Sequence, residues 1–145
     1  MTKAFDCALR LLTRREHSLL ELKNKLKQKG YSGTELNDAV VECQRLVYQS
    51  DERFTEQLCR ARMNQGYGPL RIQQELSAKG IDETLIEQIL GQETETSWIE
   101  RAQAVSHKKV VSLVSLSWED QQKLKRFLLY RGFPASIIVQ VFALK

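Results

Sequence analysis

Apolar residues recur at helical spacing along almost the whole chain. Phe5, Ala8, Leu9 and Leu12 fall at i, i+3, i+4 and i+7, which predicts a first helix with one apolar stripe. Leu19, Leu22 and Leu26 predict a second, with Lys23 and Lys27 on another side. Leu36, Val40, Cys43 and Val47 predict a third. The pattern then repeats. Phe54, Leu58 and Ala61 face inward on a fourth helix, Ile72 and Leu76 on a fifth, and Leu85, Ile86, Ile89 and Leu90 on a sixth. Trp98, Ala102, Val105 and Lys109 have helical spacing, as do Leu124, Phe127 and Leu128, and then Ile137, Ile138, Val141 and Phe142. Nine helices are expected.

The interruptions carry the usual marks of helix ends. Thr13 to His17 breaks the first stripe, and Ser18-Leu19-Leu20-Glu21 has the spacing at which a serine hydroxyl and a glutamate carboxylate satisfy exposed backbone donors. Ser32-Gly33-Thr34-Glu35 has the same spacing, and Ser117-Trp118-Glu119-Asp120 is a variant with aspartate. Asp51 is expected to cap the fourth helix. Gly66-Tyr67-Gly68-Pro69 separates the fourth from the fifth, with Pro69 at a first helical position where its missing N–H would have no partner anyway. The polar stretch Gly91–Thr96 reads as a linker, a helix is expected from about Ser97, and Pro134 stands near the start of the last helix.

One turn is written three times. Leu26-Lys27-Gln28-Lys29-Gly30-Tyr31, Leu76-Ser77-Ala78-Lys79-Gly80-Ile81 and Leu128-Leu129-Tyr130-Arg131-Gly132-Phe133 share an apolar residue, a spacer, a base, a glycine and a large apolar residue. A base in the last turn complements the helix dipole, glycine takes the left-handed position after the helix, and the next apolar residue folds back. Leu22, Ile72 and Leu124 stand four residues before each copy, and Leu36/Val40, Leu85/Ile89 and Ile137/Val141 follow. Three copies of one three-helix module are therefore expected, 1–49, 50–96 and 97–145. Such modules cannot bury their faces alone, so an all-α chain of three tandem three-helix repeats, stacked as an elongated, curved rod, is predicted.

Composition adds limits. The 145 residues include only two prolines and seven glycines, with 42% hydrophobic and 28% charged residues, as in a soluble helical protein. No apolar run approaches the ~20 residues a spanning helix needs. The start, Met1-Thr2-Lys3-Ala4-Phe5-Asp6, lacks an apolar signal core, so a cytoplasmic protein is expected. Cys7, Cys43 and Cys59 are odd in number and far apart, which reads as three reduced thiols in a core rather than a metal or redox site. The net charge is +4, but its distribution alternates: +5 over 1–30, −4 over 31–59, +3 over 60–80, −6 over 81–100 and +6 over 101–145. Separate charged surfaces would suit an acidic partner such as nucleic acid; compensation between neighbouring helices would give the same pattern.

No catalytic constellation is present. The chain lacks a phosphate-binding glycine loop, a nucleophile elbow and zinc spacing, so no enzyme, cofactor or metal is expected. His17, just before a cap, reads as a surface turn residue. Tyr31, Tyr67, Tyr130 and Phe133 lie near turns, where packing of helix caps accounts for them better than base stacking.

Two stretches resemble the RecX family of RecA regulators. One is Leu12-Thr13-Arg14-Arg15-Glu16-His17-Ser18 with Glu21-Leu22 and Lys25-Leu26. The other runs through Asp51, Arg53-Phe54, Arg60, Arg62, Gly66-Tyr67-Gly68-Pro69, Arg71-Ile72, Glu75-Leu76 and Lys79-Gly80-Ile81. The third repeat departs furthest, having no arginine-rich turn and Ser112 to Trp118 in place of the Gly-Pro element. The resemblance implies a non-enzymatic modulator that binds RecA and its filament on single-stranded DNA, limiting filament growth, ATP hydrolysis, strand exchange and the coprotease activity behind the SOS response; a monomer is expected, since nothing in the residues suggests a coiled coil. It singles out the arginines around both turns, which with the basic first helices makes Arg14, Arg15, Lys23, Lys27, Arg60, Arg62 and Arg71 the RecA- or DNA-binding candidates; the residue pattern itself marks Gly30, Gly68, Pro69, Gly80 and Gly132 as structural turns. The rival is direct DNA contact through phosphates, and the bland alternative for the seven bases is a solvated face.

Overall fold

The computed structural model describes residues 2–110, 113 and 115–143. Among these, nine α-helices and no strands occur: α1 (Lys3–Arg14), α2 (Leu19–Gln28), α3 (Gly33–Arg45), α4 (Asp51–Asn64), α5 (Pro69–Ala78), α6 (Glu83–Leu90), α7 (Glu95–Lys109), α8 (Trp118–Arg131) and α9 (Ala135–Ala143). The chain forms two compact units, Met1–Gln57 with Leu76–Leu85 and Leu58–Glu75 with Ile86–Lys145. Part of the sequence between Ser112 and Trp118 lies outside the described residues.

The first unit is built on α1, α2 and α3. Phe5, Ala8 and Leu11 of α1, Leu22 and Leu26 of α2, and Leu36, Val40 and Cys43 of α3 are buried together, with Tyr31 and Leu46 packed against them. The second unit packs α7 mainly against α9. Trp98 meets Phe133 edge to face at 6.5 Å, and Leu124, Leu128, Ile137, Ile138 and Val141 are buried. All three cysteines are buried free thiols.

The thrice-written turn has one geometry. The N–H of Tyr31, Ile81 and Phe133 bonds the carbonyl of Leu26, Leu76 and Leu128 at 3.0–3.1 Å, and the glycine N–H bonds the carbonyl three residues back. Gly30, Gly80 and Gly132 have φ of +96°, +78° and +98°, the double bond and left-handed residue of a Schellman end.

Several local expectations change. The Ser18–Glu21 capping box forms in both directions, but Ser32 makes no side-chain cap bond. Gly33, next to it, sits at φ +59°, a left-handed entry that the reciprocal box does not have. Ser50, not Asp51, caps α4, because its hydroxyl accepts from Arg53 N while Asp51 accepts from Leu19 N at 2.8 Å. Thr94 caps α7, so Glu95 and Thr96 belong to that helix rather than to a linker. Ala61 is exposed instead of inward-facing. Val47 is not on the third helical stripe: α3 ends at Arg45, and Val47 is exposed with φ +59°.

Candidate functional site

In the first unit, the turn between α1 and α2 gathers charge. Arg15 reaches Glu21 with two guanidinium nitrogens, each at 3.2 Å, and Lys79 Nζ reaches the same carboxylate at 2.9 Å. Burial pushes Glu21 up, but the bonds from Arg15, Lys79 and the Ser18 N–H outweigh it and hold the carboxyl at about 2. Glu16 pairs with Arg53.

His17 is only 1% exposed, not a surface turn residue. Its Nδ1 lies 3.0 Å from the Arg15 carbonyl and its Nε2 3.1 Å from Lys25 Nζ. The ammonium can only donate, so Nε2 must accept and Nδ1 carries the proton that goes to Arg15 O. Burial lowers the His17 pKa first of all, with the neighbouring charges of Arg15 and Lys25 acting in the same direction. The imidazole is a neutral strut. Gln49 closes the network by donating to His17 O at 3.3 Å and to Asp51 Oδ1 at 2.9 Å.

In the second unit, the Gly-Tyr-Gly-Pro turn meets the third copy of the glycine turn. Gly68 N donates to Arg131 O at 2.7 Å and Leu70 N to Gly132 O at 2.9 Å, so the open donors at the start of α5 find the open carbonyls at the end of α8. The approach is too close for side chains: a Cβ on Gly68 would stand 2.6 Å from the Gly132 carbonyl, and one on Gly132 would stand 2.5 Å from Arg71 Cβ.

Around this joint, rings and cations alternate. Arg71 lies 5.0 Å from the Tyr130 ring and 4.5 Å from the Tyr67 ring. Arg131 lies 4.9 Å from Tyr67 and 5.0 Å from Phe127, and Lys109 4.1 Å from Phe127. The order Tyr130, Arg71, Tyr67, Arg131, Phe127, Lys109 is continuous. Arg131 also donates to Gln65 O at 2.9 Å and Arg71 to Tyr130 O at 3.3 Å.

The seven bases singled out in the sequence therefore have different environments. Arg15 holds Glu21; Arg62 donates to both Glu75 oxygens at 2.7 and 2.8 Å; Arg71 lies in the ladder. Arg14, Lys27 and Arg60 are exposed and Lys23 is half-buried, and none of these four has a hydrogen-bond or ion-pair partner among the described residues. Sequence reasoning missed Lys109, Phe127 and Arg131; the available signal was an arginine and a tyrosine side by side in the third copy of the turn. Phe133 and Tyr31 do pack as cap residues, whereas Tyr130 is 71% exposed. Among the described residues no three His, Cys, Asp or Glu side chains gather as a metal site, and no helix is long and apolar enough to cross a membrane.

Comparison with known proteins assigns the family. Models described as the first, second and third three-helix domains of RecX match residues 4–43, 50–90 and 95–142. A Legionella pneumophila protein named Regulatory protein RecX is 54% identical over 142 residues, covering 98% of this chain and 94% of its own. The chain belongs to the RecX family. A Haemophilus influenzae protein of the same name is 38% identical, covering 90% of this chain and 86% of its own. The crystal structure of RecX from Lactobacillus salivarius matches with a TM-score of 0.86 at 26% identity, over 97% of this chain and 93% of that one. The RecX fold is thus an all-α repeat fold, as the periodicity predicted.

Proposed function

We propose that this chain is a cytoplasmic, monomeric, non-enzymatic regulator of RecA. On this reading it binds the RecA filament on single-stranded DNA and restrains its growth, its ATP hydrolysis, strand exchange and the coprotease activity that triggers the SOS response. The observation that carries the reading is the 54% identity, over nearly the full length, to a protein named Regulatory protein RecX. RecA as the partner is what the family resemblance implies, and the repeats 1–49, 50–96 and 97–145 serve as three recognition modules. Arg14, Lys23, Lys27 and Arg60, without hydrogen-bond or ion-pair partners among the described residues, are the bases available to an acidic face of RecA. The test is DNA-dependent ATP hydrolysis by RecA. Addition of the protein to preformed filaments should suppress hydrolysis, whereas undiminished hydrolysis at equimolar protein would overturn the proposal.

A second reading is direct contact with DNA phosphates through the same bases. It is favoured by the lack of partners for these bases among the described residues, whereas Arg15 and Arg62 are already committed to carboxylates. Replacing Arg14, Lys23 and Lys27 by glutamine separates the two. Weaker RecA inhibition with unchanged DNA binding assigns them to RecA. A log–log salt slope for single-strand binding that falls by roughly 0.7 per lost contact assigns them to phosphate.

A further inference from the structure

The ladder in the second unit has an unfinished end. Tyr67 is half-buried between two guanidinium groups, 4.5 Å from Arg71 and 4.9 Å from Arg131, and Phe127 lies between Arg131 and Lys109. Tyr130 is the exception. Arg71 covers one side of its ring at 5.0 Å, yet the residue is 71% exposed. Three residues on, Phe133 shows what an aromatic retained for packing looks like: it is 1% exposed and lies against Trp98.

Over its last two turns the face of α8 that carries Tyr130 is basic, with Glu119 on the same side only at the helix start. Lys123, Arg126 and Tyr130 stand at i, i+3 and i+7 and so share one side of the helix, spanning about 10 Å along its axis. Lys123 and Arg126 are exposed, and among the described residues neither has a hydrogen-bond or ion-pair partner. Residues 101–145 carry eight bases and two acids. An open ring backed by a guanidinium, continued by a row of unpaired cations, matches a ligand that alternates flat π-faces with negative charges.

We propose that Tyr130, supported by Arg71 and flanked by Arg126 and Lys123, is a stacking site for single-stranded nucleic acid. A base takes the open face of the Tyr130 ring while the adjoining phosphates meet the cations of α8. Duplex is disfavoured because its base faces are already stacked on one another, which leaves a protruding ring nothing to cover. Arg71 is a positioning residue here: its guanidinium fixes the ring from behind. The proposal deepens the DNA-contact reading above by naming the strand form and the site, and it does not require RecA binding.

The test is fluorescence anisotropy with a labelled oligothymidine and with a duplex of equal length, at low salt, for the wild type and for Tyr130→Ala, Tyr130→Leu and Tyr130→Trp. The exposed position leaves folding intact, which circular dichroism checks. The wild type should prefer the single strand. Alanine and leucine should each weaken it about tenfold with an unchanged salt slope, tryptophan should retain it, and duplex binding should not move. Equal single-strand affinity in wild type and Tyr130→Ala overturns the proposal, as does rescue by leucine or an equal loss on duplex. RecA ATPase inhibition, measured on the same variants, is a separate readout. Persistent inhibition without single-strand binding would remove the stacking site and leave the RecA reading standing.

Discussion

The glycine turn is used twice as a joint, and the two joints are made differently. In the first unit the Lys79-Gly80 turn meets the first turn of α2, where Lys79 bonds Glu21 and a Cβ on Gly80 would stand 2.9 Å from Leu20 Cβ. In the second unit the Arg131-Gly132 turn meets the first turn of α5 through backbone hydrogen bonds at 2.7 and 2.9 Å, with the base stacked on rings instead of paired with an acid. The first joint depends on a carboxylate; the second depends on the absence of side chains. The remaining copy of the turn, the first in the chain, at Gly30, has no atom of the described residues within 4 Å of an added Cβ and forms no such joint. One sequence signature thus covers three mechanical situations, and φ alone does not distinguish them.

The largest effect is expected at the backbone joint. Gly132→Ala combines a positive φ with a Cβ 2.5 Å from Arg71 Cβ, and Gly68→Ala puts a Cβ 2.6 Å from the Gly132 carbonyl. Neither neighbour is the free end of a flexible side chain. Each substitution should destabilise by about 3 kcal/mol, the sum of left-handed strain at Gly132 and overpacking, or overpacking with lost backbone bonds at Gly68. Gly30→Ala, which meets only the strain, should cost about 1 kcal/mol. Denaturant titration of the three variants measures the difference; equal losses at Gly30 and Gly132 would mean that the close approach is not what fixes the glycine.

The carboxylate joint should respond to pH. Glu21 titrates at about 2 in the folded protein, below its ordinary 4.5, so its charged form is favoured by folding. That stabilisation is present above pH 4.5 and is lost as pH falls toward 2. Arg15 and Lys79 are 47% and 37% exposed, which screens the pairs and reduces the contribution to about 2 kcal/mol. Glu21→Gln should lose that much at pH 7 and almost nothing near pH 2. Arg131→Gln, which removes a base with no acid partner among the described residues, should cost the same at both. A pH-independent Glu21→Gln effect would place the stability of this joint in Leu20 packing rather than in the ion pairs.

The helices, the left-handed glycines and the Ser18 box were legible because each is a local matter: periodicity, a missing Cβ, a hydroxyl three residues from a donor. His17 was misread because the partners that hold it in place are not adjacent: Gln49 lies 32 residues away in the chain, and Lys25 two turns into the next helix. The ladder was illegible for the same reason. Tyr67 and Arg131 are 64 positions apart, and no spacing rule links a ring in one turn to a base in another. The seven candidate bases show the limit on site reading. The sequence marks them alike, whereas Arg15, Arg62 and Arg71 are engaged within their own units and Arg14, Lys23, Lys27 and Arg60 have no hydrogen-bond or ion-pair partner among the described residues.

The smallest effect has the opposite sign and isolates the role of φ. α3 ends with the same double bond as the glycine turns: Tyr48 N donates to Cys43 O at 2.8 Å and Val47 N to Gln44 O at 3.0 Å. Yet the left-handed residue is Val47, at φ +59°, a conformation that crowds a β-branched side chain. Val47 is 60% exposed, so little burial offsets the strain. Val47→Gly relieves it but frees the unfolded chain, which takes back part of the gain. The net should be a stabilisation of about 0.5–1 kcal/mol, read as a higher denaturation midpoint with an unchanged denaturant slope. That outcome, beside a loss of about 3 kcal/mol for Gly132→Ala, would separate the two demands on a helix end. A solvent-facing end tolerates valine at a modest cost, and only an end used as a joint excludes every side chain. Destabilisation by Val47→Gly would instead mean that the valine methyl groups pack on Leu9, Leu12 and Tyr48, which line a hollow of about 380 Å³ with them, more strongly than their exposure implies.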